Sequence, residues 1–171
     1  VMTTSAAGDE GDSYGWINYS FIKKRQIDLQ FNPVGGEERF WLGPEGGGFS
    51  LYFRQGEKQI YKNWKVPPVL DIEAFKIQSQ SKNCICLTKE GCLTNACGTT
   101  FYLNIKRTIS LLDINEFAAS FNLEFPKDIK AVAYKSDNQI TNIGNESWNK
   151  ETGLISVWML SMFNPTSATT V

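Results

Sequence analysis

The sequence predicts an all-β protein, an antiparallel β-sandwich with one short helix. Three observations support this fold class. Residues 99–112 alternate between apolar and polar side chains, further short apolar or alternating stretches are separated by Gly, Pro, Asn and Asp, and one segment has helical periodicity. Many strands with a single helix are typical of antiparallel sandwiches and barrels.

The clearest predicted strand is TTFYLNIKRTISLL, residues 99–112. Phe101, Leu103 and Ile105 share one face, and the other face is mostly polar, as in a half-buried strand. The last predicted strand is apolar on both faces, which indicates a central strand covered from two sides. This last strand covers residues 154–163. The other predicted strands cover, in chain order, residues 49–53, 75–80, 84–88, 130–135 and 139–143.

The predicted helix is DINEFAASFN, residues 113–122. Asp113 can cap its first turn, with Glu116 three positions later as in a capping box. Ile114, Phe117 and Phe121 fall on one face of this helix.

Composition sets limits on the kind of protein. The chain has 171 residues, 42% of them hydrophobic, and suits a single β-sandwich domain spanning 1–171 or a fragment of a larger β domain. Its net charge of -1 gives no basic footprint for nucleic acid, so we expect no nucleic-acid partner. The longest apolar stretch, GLISVWMLSMF, is too short for a membrane span.

The two ends of the sequence suggest an incomplete sandwich. The chain opens VMTTSAAGDEGDSYGW and ends in the β-branched run TSATTV, whereas domain boundaries more often fall in polar linkers. We therefore expect a fragment or a processed chain. Sheet edges left exposed in such a fragment favour self-association.

Histidine is absent from the chain. This excludes Ser/His and Cys/His nucleophile pairs and an imidazole acid or base within these residues. Catalysis by this segment would have to use carboxylates, Lys, Tyr or Cys.

The stretch GGEERFWLGPEGGGFSLYF, residues 35–53, is the first candidate site. It places Glu38, Arg39, Trp41 and Glu45 between two glycine clusters. An indole face beside charged hydrogen-bonding groups suits a sugar, which presents both C–H faces and hydroxyls. The alternative is an edge strand with a solvated charged face and a core Trp.

Arg107 interrupts the apolar face of the best strand, between Ile105 and Ile109. An unpaired charge there is costly, so the residue either meets a carboxylate or a ligand, or a β-bulge turns it outward. We include Arg107 among the candidate ligand-binding residues.

The four cysteines follow the spacing C-x-C-x5-C-x4-C over residues 84–97. This spacing lacks the paired C-x2-C knuckles of zinc ribbons, so the sequence predicts no metal site and no cofactor. Buried free thiols are the default interpretation, and disulfides are the alternative in an oxidising compartment.

Trp148 lies in the segment NESWNKETG, residues 145–153, in a predicted loop. Binding residues concentrate on loops carried by a rigid sheet, so Trp148 is a candidate ligand-binding residue. The alternative is a Trp folded back onto the core.

Four segments carry a family resemblance: GDEGDSYGWIN, GGEERFWLGPEGGGFSLYF, LTNACGTTFYLNIKRTISLLD and NIGNESWNKETGLISVWMLSMFNPTSATTV. Together they resemble a family of uncharacterised bacterial proteins of unknown function. Those proteins look like members of the galactose-mutarotase-like group, which includes the aldose epimerases. The resemblance covers nearly the whole chain. It implies a large antiparallel supersandwich, incomplete in this chain, and an extracytoplasmic location in the periplasm or cell envelope.

Aldose epimerases have a Thr-Asn-His run before a strand, with the His as catalytic acid. This chain keeps Leu93, Thr94 and Asn95 but has Ala96 at the position of that His. Mutarotation needs a proton donor at the ring oxygen, so the resemblance implies a sugar site without the usual acid.

The leading functional prediction is therefore a carbohydrate-binding or carbohydrate-processing protein. In this hypothesis Arg39 and Asn95 bond sugar hydroxyls, Trp41 or Trp148 stacks on the ring, and Glu45 accepts hydrogen bonds. If the protein is catalytic, Glu38 or Glu45 is the base and Lys150 or Tyr102 the acid. The alternative is a non-catalytic structural or interaction domain of the bacterial cell envelope.

Overall fold

The computed structural model describes residues 14–126, 128 and 130–170. The described part contains three α-helices, a 3-10 helix and six strands. The helices are α1 (Tyr19–Lys23), α2 (Pro68–Asp71), α3 (Ile114–Ser120) and the 3-10 helix Tyr61–Asn63. The strands are β1 (Arg39–Gly43), β2 (Lys76–Gln80), β3 (Cys84–Thr94), β4 (Thr100–Leu112), β5 (Ala133–Asn142) and β6 (Ser156–Leu160).

The strands form two antiparallel sheets. One has two strands in the order β1-β6, and the other has four in the order β2-β3-β4-β5. The prediction of an all-β antiparallel protein is thus confirmed, although three helical segments accompany the one that was predicted. Each of these three is five residues or shorter, too short to show a helical period in the sequence.

The chain divides into two compact units. The first unit contains residues 1–73, 93–100 and 148–171, and the second contains residues 74–92 and 101–147. The first unit therefore includes the two-stranded sheet, and most of the four-stranded sheet belongs to the second.

In the first unit, strand β1 is an apolar strand buried along nearly its whole length. Phe40, Trp41 and Leu42 are all buried, and Trp41 lies directly opposite Trp158 of β6. The strand ends at Gly43 because Pro44 has no N–H to continue a ladder. The charged stretch between two glycine clusters is therefore a strand, but one that contributes to the core.

In the second unit, β4 keeps the predicted alternation. Phe101, Leu103 and Ile105 are buried, while Tyr102 and Lys106 on the other face are exposed. β5 pairs with β4 in one unbroken register from Leu103 opposite Asn142 to Leu112 opposite Ala133. No bulge occurs at Arg107 in this pairing with β5.

Residues 49–53, predicted as a strand, form a buried turn instead. The N–H of Leu51 donates to the carbonyl of Pro44 (2.9 Å), and the Ser50 hydroxyl donates to the carbonyl of Glu45 and accepts from the N–H of Tyr52. These local bonds satisfy the backbone that a ladder would otherwise use. Leu51, Tyr52 and Phe53 are buried because the turn folds inward, whereas Phe49 is exposed.

Two further strand predictions need correction. The predicted strands 130–135 and 139–143 are one strand, β5, because Ser136, Asp137 and Asn138 continue the ladder rather than turning the chain. The predicted central strand 154–163 is shorter and less covered, since in β6 every residue is exposed or half-buried and β1 is the strand it pairs with in the described sheet.

The helix α3 confirms the predicted cap. The Asp113 carboxylate accepts the N–H groups of Asn115 (2.8 Å) and Glu116 (3.0 Å). These bonds satisfy two of the orphan donors of the first turn. Within the described residues, no helix is long and apolar enough to cross a membrane.

Leu103→Ala tests the core of the second unit. Leu103 is fully buried and Leu111, on the same face of β4, is 52% exposed. We expect Leu103→Ala to lower the free energy of unfolding by about 2–5 kcal/mol, because it leaves a cavity. Urea denaturation measures this. Leu111→Ala is the matched control and should change stability by about 0.5 kcal/mol or less; equal losses would contradict the burial pattern.

Candidate functional site

The most extensive side-chain arrangement of the first unit is a row of five stacked aromatic rings. We call it the aromatic row. Neighbouring ring centroids lie 5.5–6.2 Å apart, with interplanar angles of 9–25°. In spatial order the rings are Trp158, Trp41, Tyr52, Trp64 and Tyr61.

The row runs from the core to the surface. Trp41 is 3% exposed and Tyr52 is also buried, whereas Trp158 and Trp64 are half-buried and Tyr61 is 76% exposed. The Trp41 indole is stacked with both Trp158 and Tyr52. The Tyr61 ring is therefore an exposed surface that rests on a fixed stack.

Separate segments of the chain build the row. Trp41 and Trp158 are register partners on β1 and β6, so the sheet itself brings their rings together. Tyr52 comes from the buried turn, where its hydroxyl donates to the carbonyl of Leu42 (2.8 Å). Tyr61 begins the 3-10 helix, and Trp64 follows that helix directly.

Arg39 lies beside this row in a buried ion pair. Its Nη2 donates to Oδ1 of Asp71 (2.6 Å) and its Nη1 donates to the carbonyl of Asn32 (3.0 Å). The side chains of Arg39 and Asp71 are 11% and 2% exposed. The guanidinium carbon also lies 5.1 Å from the ring centroids of Phe31 and Trp41, within cation–π range.

Asp71 is fully engaged by donors. Its Oδ2 accepts from the backbone N–H of Asn32 (2.9 Å) and from the Asn32 side chain (2.7 Å), while Oδ1 accepts from Arg39. A buried carboxylate with one cation and two further donors is well compensated. The pair thus joins strand β1, the end of helix α2 and the segment around Asn32.

Tyr52 is held as a neutral phenol. Burial raises the pKa of its hydroxyl far above the usual value, and the Glu45 carboxylate raises it further. Trp41 adds an unusual feature, because its indole Nε1 is buried without a hydrogen-bond partner among the described residues. The Tyr52 hydroxyl is therefore not set up to exchange a proton near neutral pH.

Asn95 anchors the turn between β3 and β4. Its Nδ2 donates to the carbonyl of Thr152 (2.9 Å), and its Oδ1 accepts from the N–H of Thr99 (2.9 Å). Gly153 lies so close that a Cβ there would be 2.8 Å from Asn95 Nδ2. The side chain is 1% exposed, so it organises the loop from within.

The structure brings some predicted site residues together and separates others. Arg39 and Trp41 are in direct contact, and the Glu45 carboxylate acts on Tyr52, which stacks on Trp41. Glu38 and Trp148 belong to the same unit and are half-buried, as is Glu45. The roles predicted for these residues as direct ligands stay predictions.

Arg107 belongs to the second unit, where its Nε donates to Oδ1 of Asn138 (2.8 Å), its register partner on β5. The side-chain amide oxygen of Asn138 thus accepts a hydrogen bond from the charged guanidinium of Arg107. The Asn138 amide in turn donates to the Ser136 hydroxyl (3.1 Å).

The four cysteines are free thiols. Cys86 is buried and Cys84 is half-buried, but Cys92 and Cys97 are exposed, so the expectation of buried thiols is wrong for the latter two. No three His, Cys, Asp or Glu side chains of the described residues are grouped as a metal site would need.

Sequence reasoning missed Asp71, Phe31, Tyr61 and Trp64. Asp71 lies 32 positions from its partner Arg39, and no local pattern links the two. The signal that could have found the aromatic residues is their density, since Trp and Tyr are rarely left exposed without a reason.

These features define a class: a β-rich protein whose first unit holds an aromatic row over a buried ion pair. Within that class, the chain belongs to a family of unknown function, DUF6786, whose sequence model matches residues 1–171. No curated protein and no solved structure matches the sequence.

Arg39→Met tests the buried ion pair. Removing the cation leaves the Asp71 carboxylate uncompensated in the interior, so we expect a loss of about 3–5 kcal/mol in the free energy of unfolding. Urea denaturation followed by Trp fluorescence measures it. Adding Asp71→Asn should recover part of the loss, because the orphaned charge disappears. Arg54→Met, at an exposed position, is the control, and a similar loss there would contradict the assignment.

Cys97 should react faster than Cys92 with iodoacetamide near pH 7. Hydrogen bonds from Thr99 to the sulfur lower the pKa of the exposed Cys97 thiol. More of Cys97 is then thiolate, the reacting form, and the advantage disappears above pH about 9, where thiols are ionised anyway. Mass spectrometry of the labelled peptides gives both rates. Thr99→Val should remove most of the difference; equal rates in the unaltered protein would refute the prediction.

Proposed function

We propose that this protein binds carbohydrate, and that the exposed end of the aromatic row is the stacking surface. The single observation that carries the proposal is the Tyr61 ring, which is 76% exposed and stacked at 6.2 Å on Trp64. The resemblance to galactose-mutarotase-like proteins supports the same class of ligand and a supersandwich architecture.

A fixed, exposed aromatic ring suits the apolar face of a sugar. Pyranose rings present C–H groups on one face, and an aromatic face buries them without desolvating the hydroxyls. Tyr61 loses little freedom on binding, because Trp64 already holds it and Trp64 is itself stacked on the buried Tyr52. Preorganisation of this kind lowers the entropic cost of association.

Polar groups stand next to the ring. Gln30 donates from Nε2 to the backbone carbonyl of Tyr61 (2.7 Å), and Lys62 and Lys65 flank Trp64 as exposed side chains. Amide and ammonium groups donate hydrogen bonds to sugar hydroxyls, so the surface offers both kinds of contact that a sugar needs.

In this proposal Arg39 and Trp41 act from below the surface. Trp41 is an interior ring of the row and Arg39 lies beside it, so the ion pair and the stacking keep the outer rings in place. Direct contact of Arg39, Trp41 or Asn95 with a sugar would require these buried groups to be uncovered.

Catalytic conversion of the bound sugar is a second, more specific part of the proposal. Glu38 and Glu45 are the carboxylates proposed as bases; of the two proposed acids, Lys150 belongs to the same unit as these carboxylates and Tyr102 belongs to the second unit. Loss of sugar conversion in Glu45→Gln, with binding retained, would support a processing enzyme. We propose the binding role because it requires only the exposed end of the aromatic row.

A second candidate is an interaction domain without catalytic activity. The observation that favours it is the amount of exposed apolar surface in the first unit, since large exposed apolar patches mark interaction sites. Among its exposed side chains are Ile27, Leu29, Ile60 and Tyr61. Both candidates are compatible with the extracytoplasmic location that we propose from the family resemblance.

Tyr61→Ala tests the stacking surface. We expect the unaltered protein to give a saturable change in Trp fluorescence with a monosaccharide or oligosaccharide from a panel, because Trp64 lies against Tyr61. Tyr61→Ala should weaken that binding about tenfold, the effect of roughly 1–2 kcal/mol of aromatic contact.

Tyr19→Ala is the matched control, since Tyr19 is an exposed tyrosine on helix α1, outside the row. It should leave sugar affinity unchanged. If no sugar in the panel changes the fluorescence, the interaction domain becomes the better proposal. If sugar binds but Tyr61→Ala and Tyr19→Ala behave alike, the stacking surface lies elsewhere.

A further inference from the structure

The second unit contains two neighbouring cavities that share Lys135. The first, the β4–β5 groove, has a volume of about 300 Å³ and lies across the exposed polar face of the two strands. It is lined by Lys106, Thr108, Ser110, Lys135, Asp137 and Gln139.

The second cavity, the α3 pocket, has a volume of about 450 Å³, within the range of small-molecule sites. Its wall is mostly apolar, and helix α3 forms one side of it. Its apolar lining is Leu112, Phe117, Phe121 and Tyr134, and its polar lining is Asp113, Glu116, Ser120 and Lys135.

The strand register places the two cavities next to each other along β4, and we call the groove and the pocket together the track. Along β4, residues 106, 108, 110 and 112 follow each other on one face, and Gln139, Asp137 and Lys135 lie opposite the first three. Successive same-face residues are about 6.6 Å apart, so the passage from Ser110 to Leu112 takes one step from the groove to the pocket. A ligand of modest length would reach both.

The groove carries an excess of positive charge. Lys106 and Lys135 are exposed, and neither forms an ion pair or a side-chain hydrogen bond with another described residue. The single carboxylate, Asp137, accepts from the Gln139 side chain (3.1 Å). The Thr108 and Ser110 hydroxyls donate to the sulfur atoms of Cys86 (3.7 Å) and Cys84 (3.3 Å), so the two lysine ammonium groups are what fits the groove to an anionic group.

The pocket offers apolar contact that the protein itself leaves uncovered. The rings of Phe117 and Phe121 pack against each other at 4.9 Å, yet Phe121 is 65% exposed. The carboxylates of Asp113 and Glu116 come from α3 and the residue before it, whereas Lys135 comes from strand β5 on the groove side of the pocket. This charge arrangement orients an amphipathic ligand, with its anion at Lys135 and its apolar part against the two phenylalanines.

We propose that this track binds a small amphipathic anion, a carboxylate or phosphate joined to an apolar chain or ring. Lys135 and Lys106 hold the anion, and Leu112, Phe117 and Phe121 cover the apolar part. This site is separate from the aromatic row and does not depend on sugar binding.

The test uses anilinonaphthalene sulfonate as a fluorescent amphipathic anion and decanoate as the competitor, below its micelle concentration. We expect saturable binding of the dye and its displacement by decanoate or decyl phosphate. Decanol and decylamine should compete about tenfold less well, because they lack the charge that meets Lys135. Acetate and inorganic phosphate should not compete, because they lack the apolar part.

Lys135→Gln should weaken decanoate about tenfold and leave decanol unchanged. Lys82→Gln, an exposed lysine of the same unit outside the track, is its control. Phe121→Ala should weaken decanoate and decanol together, with Ile77→Ala, also exposed, as control. Because all four positions are exposed, the variants should keep the fold, which circular dichroism verifies.

Three results would overturn the proposal. These are equal competition by decanoate and decylamine, unchanged affinity in both Lys135→Gln and Phe121→Ala, and displacement of the dye by inorganic phosphate alone. Sugar titrations of the same variants should be unaffected, so failure here is distinguishable from failure of the proposed carbohydrate binding.

Discussion

The ion pair between Arg39 and Asp71 is the constraint on which the first unit depends. A charge buried to this degree is tolerated only if its partner and its hydrogen bonds are in place. Those bonds join strand β1 to the end of helix α2 and to Asn32. The guanidinium also covers the Trp41 ring, so the pair fixes the ring from which the stack extends.

The aromatic row connects the buried ion pair to an exposed ring at the protein surface. Trp41 and Tyr52 are buried in the core, Trp64 is half-buried and Tyr61 is mostly exposed. A tyrosine on a mobile loop would present the same atoms, but it would have to be ordered on binding. Here the ordering has already occurred on folding, which is why an exposed ring at the end of the row is a candidate binding surface.

The second unit is organised around a sheet with one apolar and one polar face. Its sheet buries Leu103 and Ile105 on one face and presents lysines, hydroxyls and a carboxylate on the other. Arg107 lies on the largely apolar face, where Asn138 accepts its hydrogen bond. Since α3 covers the end of the sheet only partly, apolar side chains remain open to solvent beside the polar face. The two proposed sites therefore arise from two different structural causes.

The sequence by itself determined the elements whose signals are local. The alternation in β4 and the cap on α3 follow from neighbouring residues, and both form as their patterns predict. Tertiary structure decided what local patterns cannot encode. Residues 49–53 have the composition of a strand, yet bonds to Pro44 and Glu45 fold them into a turn. Likewise, the sequence identified Arg39 and Trp41, but their burial follows from contacts with Asp71 and Trp158, which lie far along the chain and meet them only when it folds.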